Sequence, residues 1–176
     1  MISRNRACHL NVIEQRRRIA FKCLWNSPVK MKKLQERQFA ALPIYTTPQG
    51  SVEVCLITAR GSGRWMIPKG KPIRGLTPPQ VAAQEALEEA GLLGRMEPQL
   101  FGAFELPKSR GKRHIVRLID VYVLQVERQL SQWAERSERL FLCCSLETAL
   151  SLVSTPGLAE IIRHYARQAG GLKLPG

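Results

Sequence analysis

Gly70 to Gly91 is the stretch that most constrains what this chain can become. A glycine-bearing loop, Gly70-Lys-Pro-Ile-Arg-Gly75, runs into a short segment carrying Glu85, Glu88 and Glu89. Thr77 is a good N-cap, Pro78 suits the first helical position, and Gln80 completes a T-x-x-Q capping box. Gly91 is a natural C-terminal stop. The spacing therefore predicts a helix between them. A helical step of 100° puts Ala83, Leu87 and Ala90 on one stripe and the three glutamates on the opposite side. Like charges at this spacing cost roughly 0.2–0.5 kcal/mol per pair in an isolated helix. Either water solvates an acidic face or a hard cation offsets the repulsion. Mg²⁺ favours oxygen ligands and is often held by one or two carboxylates plus substrate phosphates.

Composition bounds the rest. At 176 residues, with 44% hydrophobic and 23% charged, the chain can bury one core. No apolar run approaches the roughly 20 residues that span a bilayer, and no secretory signal is evident. Five cysteines, an odd number without C-x-x-C spacing, argue against a disulfide framework or zinc site and for a reducing, cytoplasmic setting. Cys55, Cys143 and Cys144 sit in apolar runs as core residues, the last two pointing to opposite faces of a strand.

The formal charge is +13, but residues 1–33 hold nine Lys/Arg against Glu14 alone. The body is only mildly basic. It suits an anionic substrate without demanding nucleic acid, and residues 1–33 are where nucleic acid could bind. Residues 1–30 read as a basic arm, a transit peptide or sequence upstream of the working start, the last being favoured. The expected division is therefore 1–30 as an extension, 31–170 as the domain and 171–176 as a tail.

Strand signals fall at Gln38–Thr46, where Pro43 suggests an edge or bulge, and at Val52–Thr58 and Trp65–Ile67. Others fall near Gly94–Met96, Leu100–Phe104, Ile115–Val126 and Leu140–Cys144. Gln132 to Arg139 reads as a polar connection. Ser145 caps a helix, and Thr155-Pro156 start another whose apolar face is Leu158, Ile161, Ile162 and Tyr165. Strands on both sides of a central helix, with two helices after, predict an α/β fold with a mixed sheet covered on both faces.

Trp65-Met-Ile-Pro-Lys-Gly70 followed by Gln84-Glu-Ala-Leu-Glu-Glu-Ala-Gly-Leu92 resembles the signature of the Nudix hydrolases: Gly, five residues, Glu, seven residues, then Arg-Glu-apolar-x-Glu-Glu-x-Gly-apolar. Gly70, Glu85, Ala86, Glu88, Glu89, Gly91 and Leu92 match. Leu76 stands in place of the first glutamate and Gln84 in place of the arginine. The Trp-x-x-Pro-Lys-Gly start, Lys112-Arg-His114 and Glu138-Arg-Leu-Phe-Leu142 lean towards the diphosphoinositol polyphosphate and dinucleoside polyphosphate phosphohydrolases.

The resemblance implies an α/β/α sandwich and Mg²⁺-dependent hydrolysis of a phosphoanhydride, with Mn²⁺ as a substitute ion. The implied metal ligands are Gly70, Glu85 and Glu89, with Glu88 as the base. Arg60, Arg64, Lys69, Lys71 and Arg113 are the expected phosphate contacts, with Arg74 near them. The implied partner is a polyanionic small molecule. Two other readings are a Nudix-fold sensor that binds without cleaving, motivated by Leu76 and Gln84, and an RNA pyrophosphohydrolase, suggested by the basic N-terminus.

Overall fold

A computed structural model describes residues 36–110 and 113–170. The expected boundary at residue 30, the basic segment 1–33 and the tail 171–176 lie outside the described residues. One mixed sheet organises the domain. Strand β1 (Glu36–Thr46) runs parallel to β7 (Arg113–Gln129) and antiparallel to β2 (Val52–Thr58) and β4 (Lys69–Gly70). Strands β3 (Trp65–Met66) and β8 (Phe141–Ser145) pair with β2, while β5 (Leu92–Met96) and β6 (Gly102–Arg110) pair with β7, all antiparallel.

β1 is central, not the edge that Pro43 suggested. The local ladder explains the difference. On its β4 and β2 side, β1 pairs through Phe39 and Ala40 with β4, and through Ile44 to Thr46 with β2. The Ala41 N–H points to that side and donates to the Pro68 carbonyl at 3.0 Å. Two residues on, position 43 faces the gap between the two ladders, where a missing N–H breaks no rung.

Helix α1 (Pro78–Ala90) starts and stops where its sequence signals lie. Gln80 Oε1 accepts from the Thr77 N–H at 2.8 Å. Gly91 adopts φ 66°, and its N–H reaches the Leu87 carbonyl at 3.0 Å. The buried stripe differs from the expected one. Val81, Ala82, Ala86, Glu89 and Ala90 are buried, while Ala83 and Leu87 are only half-buried. Small side chains let α1 sit close over Phe39, Ala41, Tyr122 and Leu124 of the sheet. That approach turns Glu89 inward instead of leaving it on a solvated side.

The other face carries the larger core. Helices α2 (Leu146–Leu152) and α3 (Pro156–Gln168) cover it with Leu146, Ala149, Leu158, Ile161 and Ile162, packed on Ala40, Leu42, Leu56, Ile119 and Val121. Ser145 caps α2, accepting from the Thr148 N–H at 3.2 Å. Truncating a fully buried member such as Ile162 would cost about 2–5 kcal/mol. The layers are helix, mixed sheet and helices, the α/β/α sandwich the sequence led us to expect.

The cysteines overturn one expectation. Cys55 and Cys143 face each other across the β2–β8 ladder and form a disulfide despite a sequence separation of 88. Cys144 remains free on the other face, in contact with the larger core. Odd count and spacing speak only to neighbours in sequence, whereas strand pairing chose these partners. Cysteine usage therefore no longer argues for a reducing compartment.

Candidate active site

β4 and the middle of α1 make the first half of the site. Gly70 pairs with Phe39, which faces α1, so its missing side chain would point at the helix. The Glu85 carboxylate fills that place: a Cβ on Gly70 would lie 1.6 Å from Glu85 Oε1. Only glycine admits the contact, and it sets a carboxylate against the β4 backbone.

Glu89, one turn further along, is held from two sides. The Lys69 N–H donates to its Oε2 at 3.0 Å. Arg139 donates to its Oε1, both side chains being almost completely buried at 7% and 6% exposure. Arg139 also reaches Glu135 at 2.7 Å and the Thr58 carbonyl at 3.0 Å. Glu135 in turn accepts from Arg60, and its N–H donates to the Glu88 carbonyl at 3.1 Å. The connection between β7 and β8, which carries Glu135 and Arg139, thus closes over the acidic helix.

Glu88 is half-buried, and its Oε1 accepts from Gln84 Nε2 at 2.7 Å. Gln84 therefore steadies a carboxylate without charge, as its amide allows. Leu76 is 37% exposed and offers the site no oxygen.

Electrostatics follow from this crowding. Burial first, then the charges of Glu89, Glu88 and Glu135, push the Glu85 carboxyl up to about 7. Burial also raises Glu89, against the pull of the Lys69 ammonium, the Lys69 N–H and Arg139. Lys69 is lowered by burial and by the Arg139 and Arg117 guanidiniums, and raised by Glu89 and Glu85. Charging Glu85 is thus costly without a further cation beside it.

Known proteins can be set against this geometry. No family model matches the chain. Over 118 residues it is 30% identical to "Nudix hydrolase 21, chloroplastic" of Arabidopsis thaliana, covering 66% of this chain and 58% of that protein. The chain is similar to that Nudix hydrolase and spans less than two thirds of its length. Solved structures support the fold. A C. elegans Ap4A hydrolase in a binary complex superposes with TM-score 0.60 at 17% identity, over 78% of this chain and 99% of that one. The NUDIX domain of Shewanella oneidensis NrtR, complexed with ADP ribose, also gives 0.60, at 18% identity, over 85% and 97%.

In this chain the structure brings Gly70, Glu85, Glu88 and Glu89 together. The expected phosphate contacts fare unevenly. Arg60 is tied to Glu135 and, at 2.8 Å, to Glu138. Arg64, Lys71 and Arg74 are exposed, and among the described residues no ion pair joins them to the glutamates. The Lys69 ammonium feels the charges of Glu89 and Glu85 on one hand and of Arg139 and Arg117 on the other. The side chain of Arg113 falls outside the described residues. Sequence reading missed Arg139 and Glu135. Their i,i+4 spacing was the available signal, but it marks surface helices as often as sites.

The oxygen donors present fit a hard divalent cation. Glu85 and the Gly70 backbone are in contact, and Glu89 is fixed nearby. No three His, Cys, Asp or Glu side chains among the described residues close into a cage.

Proposed function

We propose that this protein hydrolyses a phosphoanhydride bond in a polyphosphorylated small molecule, of the diphosphoinositol polyphosphate or dinucleoside polyphosphate type, with Mg²⁺ or Mn²⁺. The observation that carries this reading is the Glu85 carboxylate seated on Gly70 beside a buried, doubly held Glu89. The named likeness to an Ap4A hydrolase supports the substrate type.

A bound Mg²⁺ would supply charge neutralisation at phosphate oxygens and acidify a water. The chain's own groups do the remainder. Glu85, Glu89 and the Gly70 carbonyl would hold the ion. Glu88, half-buried and steadied by Gln84, accepts the proton of the attacking water. Arg139 keeps Glu89 from turning away, and Lys69 places a cation beside the acids. Arg64 and Lys71 are exposed and can reach phosphates further from the cleaved bond. The proposed setting is the cytoplasm; among the described residues no helix is long and apolar enough to cross a membrane.

A Mg²⁺-dependent screen over dinucleoside polyphosphate, diphosphoinositol, nucleotide sugar and capped RNA substrates tests the reading. Cleavage of one of the first two supports it. Leu76 and Gln84 favour a second reading, a Nudix-fold module that binds a phosphorylated ligand without cleaving it. Ligand binding with no turnover across the panel would establish that alternative.

A further inference from the structure

The Cys55–Cys143 disulfide takes no part in the proposed chemistry, yet a short run of bonded residues joins it to the site. It crosses the β2–β8 ladder, and Ile57 pairs with Phe141 two residues further along. Next, the Thr58 N–H donates to the Leu140 carbonyl at 3.0 Å, and the Leu140 N–H donates to Thr58 Oγ1 at 2.9 Å. Arg139 donates to the Thr58 carbonyl at 3.0 Å and to Glu89. The strand that carries Cys143 therefore also sets where Arg139 stands against the buried carboxylate.

Opening the bond has to move something. Cys55 is 1% exposed and shares its cluster with Val81, Ala82 and Ala86 of α1. Bonded sulfurs sit about 2 Å apart, whereas unbonded heavy atoms pack at about 3.5–4 Å. A close-packed interior has no slack for that difference. β2 pairs with β1, β3 and β8, while β8 pairs with β2 alone among the described residues. A strand held from one side opens more readily than one held from both, so β8 is the one that yields.

The chemistry around the bond suits exchange. Cys143 is partly exposed, so a reductant meets its sulfur first. Cys144 is on the other face and cannot take the bond over. In the proposed cytoplasmic setting, disulfides are usually transient and catalytic or redox-sensing.

We propose that Cys55 and Cys143 form a redox switch acting on the proposed metal site. Linked, they hold β8 so that Arg139 stays on Glu89. A thiolate of a dithiol reductant attacks the Cys143 sulfur and forms a mixed disulfide, and Cys55 leaves and takes up a proton. The reductant's second thiolate then displaces Cys143, which is also protonated, and the reductant departs as a disulfide. The protein has gained two electrons and two protons. β8 slackens, Arg139 releases Glu89, and the ion is held more weakly. The assignment rests on the hydrolase reading only for what the site does with its ion.

The test uses the full chain, with Mn²⁺ as the probe. Wild-type protein is equilibrated at graded ratios of dithiol to disulfide, separated from them without air, and mapped for the linked Cys55–Cys143 peptide. Calorimetry should show Mn²⁺ affinity falling about 10–100-fold from the linked to the reduced protein, in step with that peptide. Circular dichroism should show both states folded. Cys55→Ala with Cys143→Ala, which leaves Cys8, Cys23 and Cys144 in place, should show the weak affinity at every ratio. Arg139→Met should bind Mn²⁺ weakly and equally in both states. The wild-type titration decides the matter where a variant does not fold. Absence of Mn²⁺ binding by the linked protein, equal affinity in the two states, or an affinity that follows another cysteine overturns the assignment. So does a redox response that survives in Arg139→Met, or a reduced chain that unfolds, since the bond is then a staple for the whole fold. If Mn²⁺ affinity follows the link but no substrate is cleaved in either state, the hydrolase reading fails and the switch stands. Cleavage and Mn²⁺ affinity both indifferent to the link give the reverse.

Discussion

Arg139 donates to Glu89 from 50 residues away in sequence, and water barely reaches either side chain. Glu89 is buried because small residues bring α1 close to the sheet, and a buried carboxylate needs a partner. Breaking a buried pair from one side strands a charge and costs about 3–5 kcal/mol. Arg139→Met should show a loss of that size in urea unfolding. Adding Glu89→Gln should recover part of it, since the stranded charge is gone. Strictly additive losses would mean the pair is not coupled.

Gly70 is required by the Glu85 carboxylate and not by its own backbone angles, since only the absent Cβ makes room. Gly70→Ala should leave circular dichroism intact but displace Glu85. Mn²⁺ affinity, measured by calorimetry, should then fall about 10–100-fold, the range seen when a ligand's support is lost. Equal Mn²⁺ affinity in the variant would remove Glu85 and Gly70 from the metal site.

Glu85 titrates at about 7 in the ion-free protein against an ordinary 4.5. Between those values the folded chain binds more protons than the unfolded one, so stability falls as pH rises through the window. Ion-free melting curves should therefore move down from pH 5 to pH 8, and Glu85→Gln should flatten the trend. Mn²⁺ affinity should move the opposite way, rising with pH as the ion displaces the proton.

The Cys55–Cys143 disulfide closes a loop of 88 residues. On the chain-entropy account such a link contributes about 4–5 kcal/mol. Peptide mapping without reductant should recover the two cysteines linked and Cys144 free. Urea unfolding with dithiothreitol should show the reduced protein less stable by that order. Finding both thiols free would contradict the disulfide.

Much of the fold was legible because its signals are local. Thr77, Pro78, Gln80 and Gly91 bound α1 by capping chemistry that acts within a turn. Ser145 and Pro156 do the same for α2 and α3. The box glutamates were legible through spacing. What escaped the sequence depends on pairing across long separations. The place of β1 is set by its parallel ladder with β7, the disulfide by the register of β2 and β8, and the support of Glu89 by Arg139. Helical periodicity misjudged the buried face of α1, because Ala82 and Ala86 pack by being small, and hydrophobic patterning gives alanine little weight.

The central claim is that Glu85, Glu88 and Glu89 form a catalytic, ion-dependent site. The direct measurement is Mg²⁺-dependent cleavage of diadenosine tetraphosphate by the wild-type chain and by Glu88→Gln and Glu89→Gln, each checked for folding by circular dichroism. Cleavage by the wild type only when Mg²⁺ is present, with a fall of about 10²–10⁴-fold in each folded variant, is the predicted result. Undiminished cleavage in both folded variants would contradict the claim.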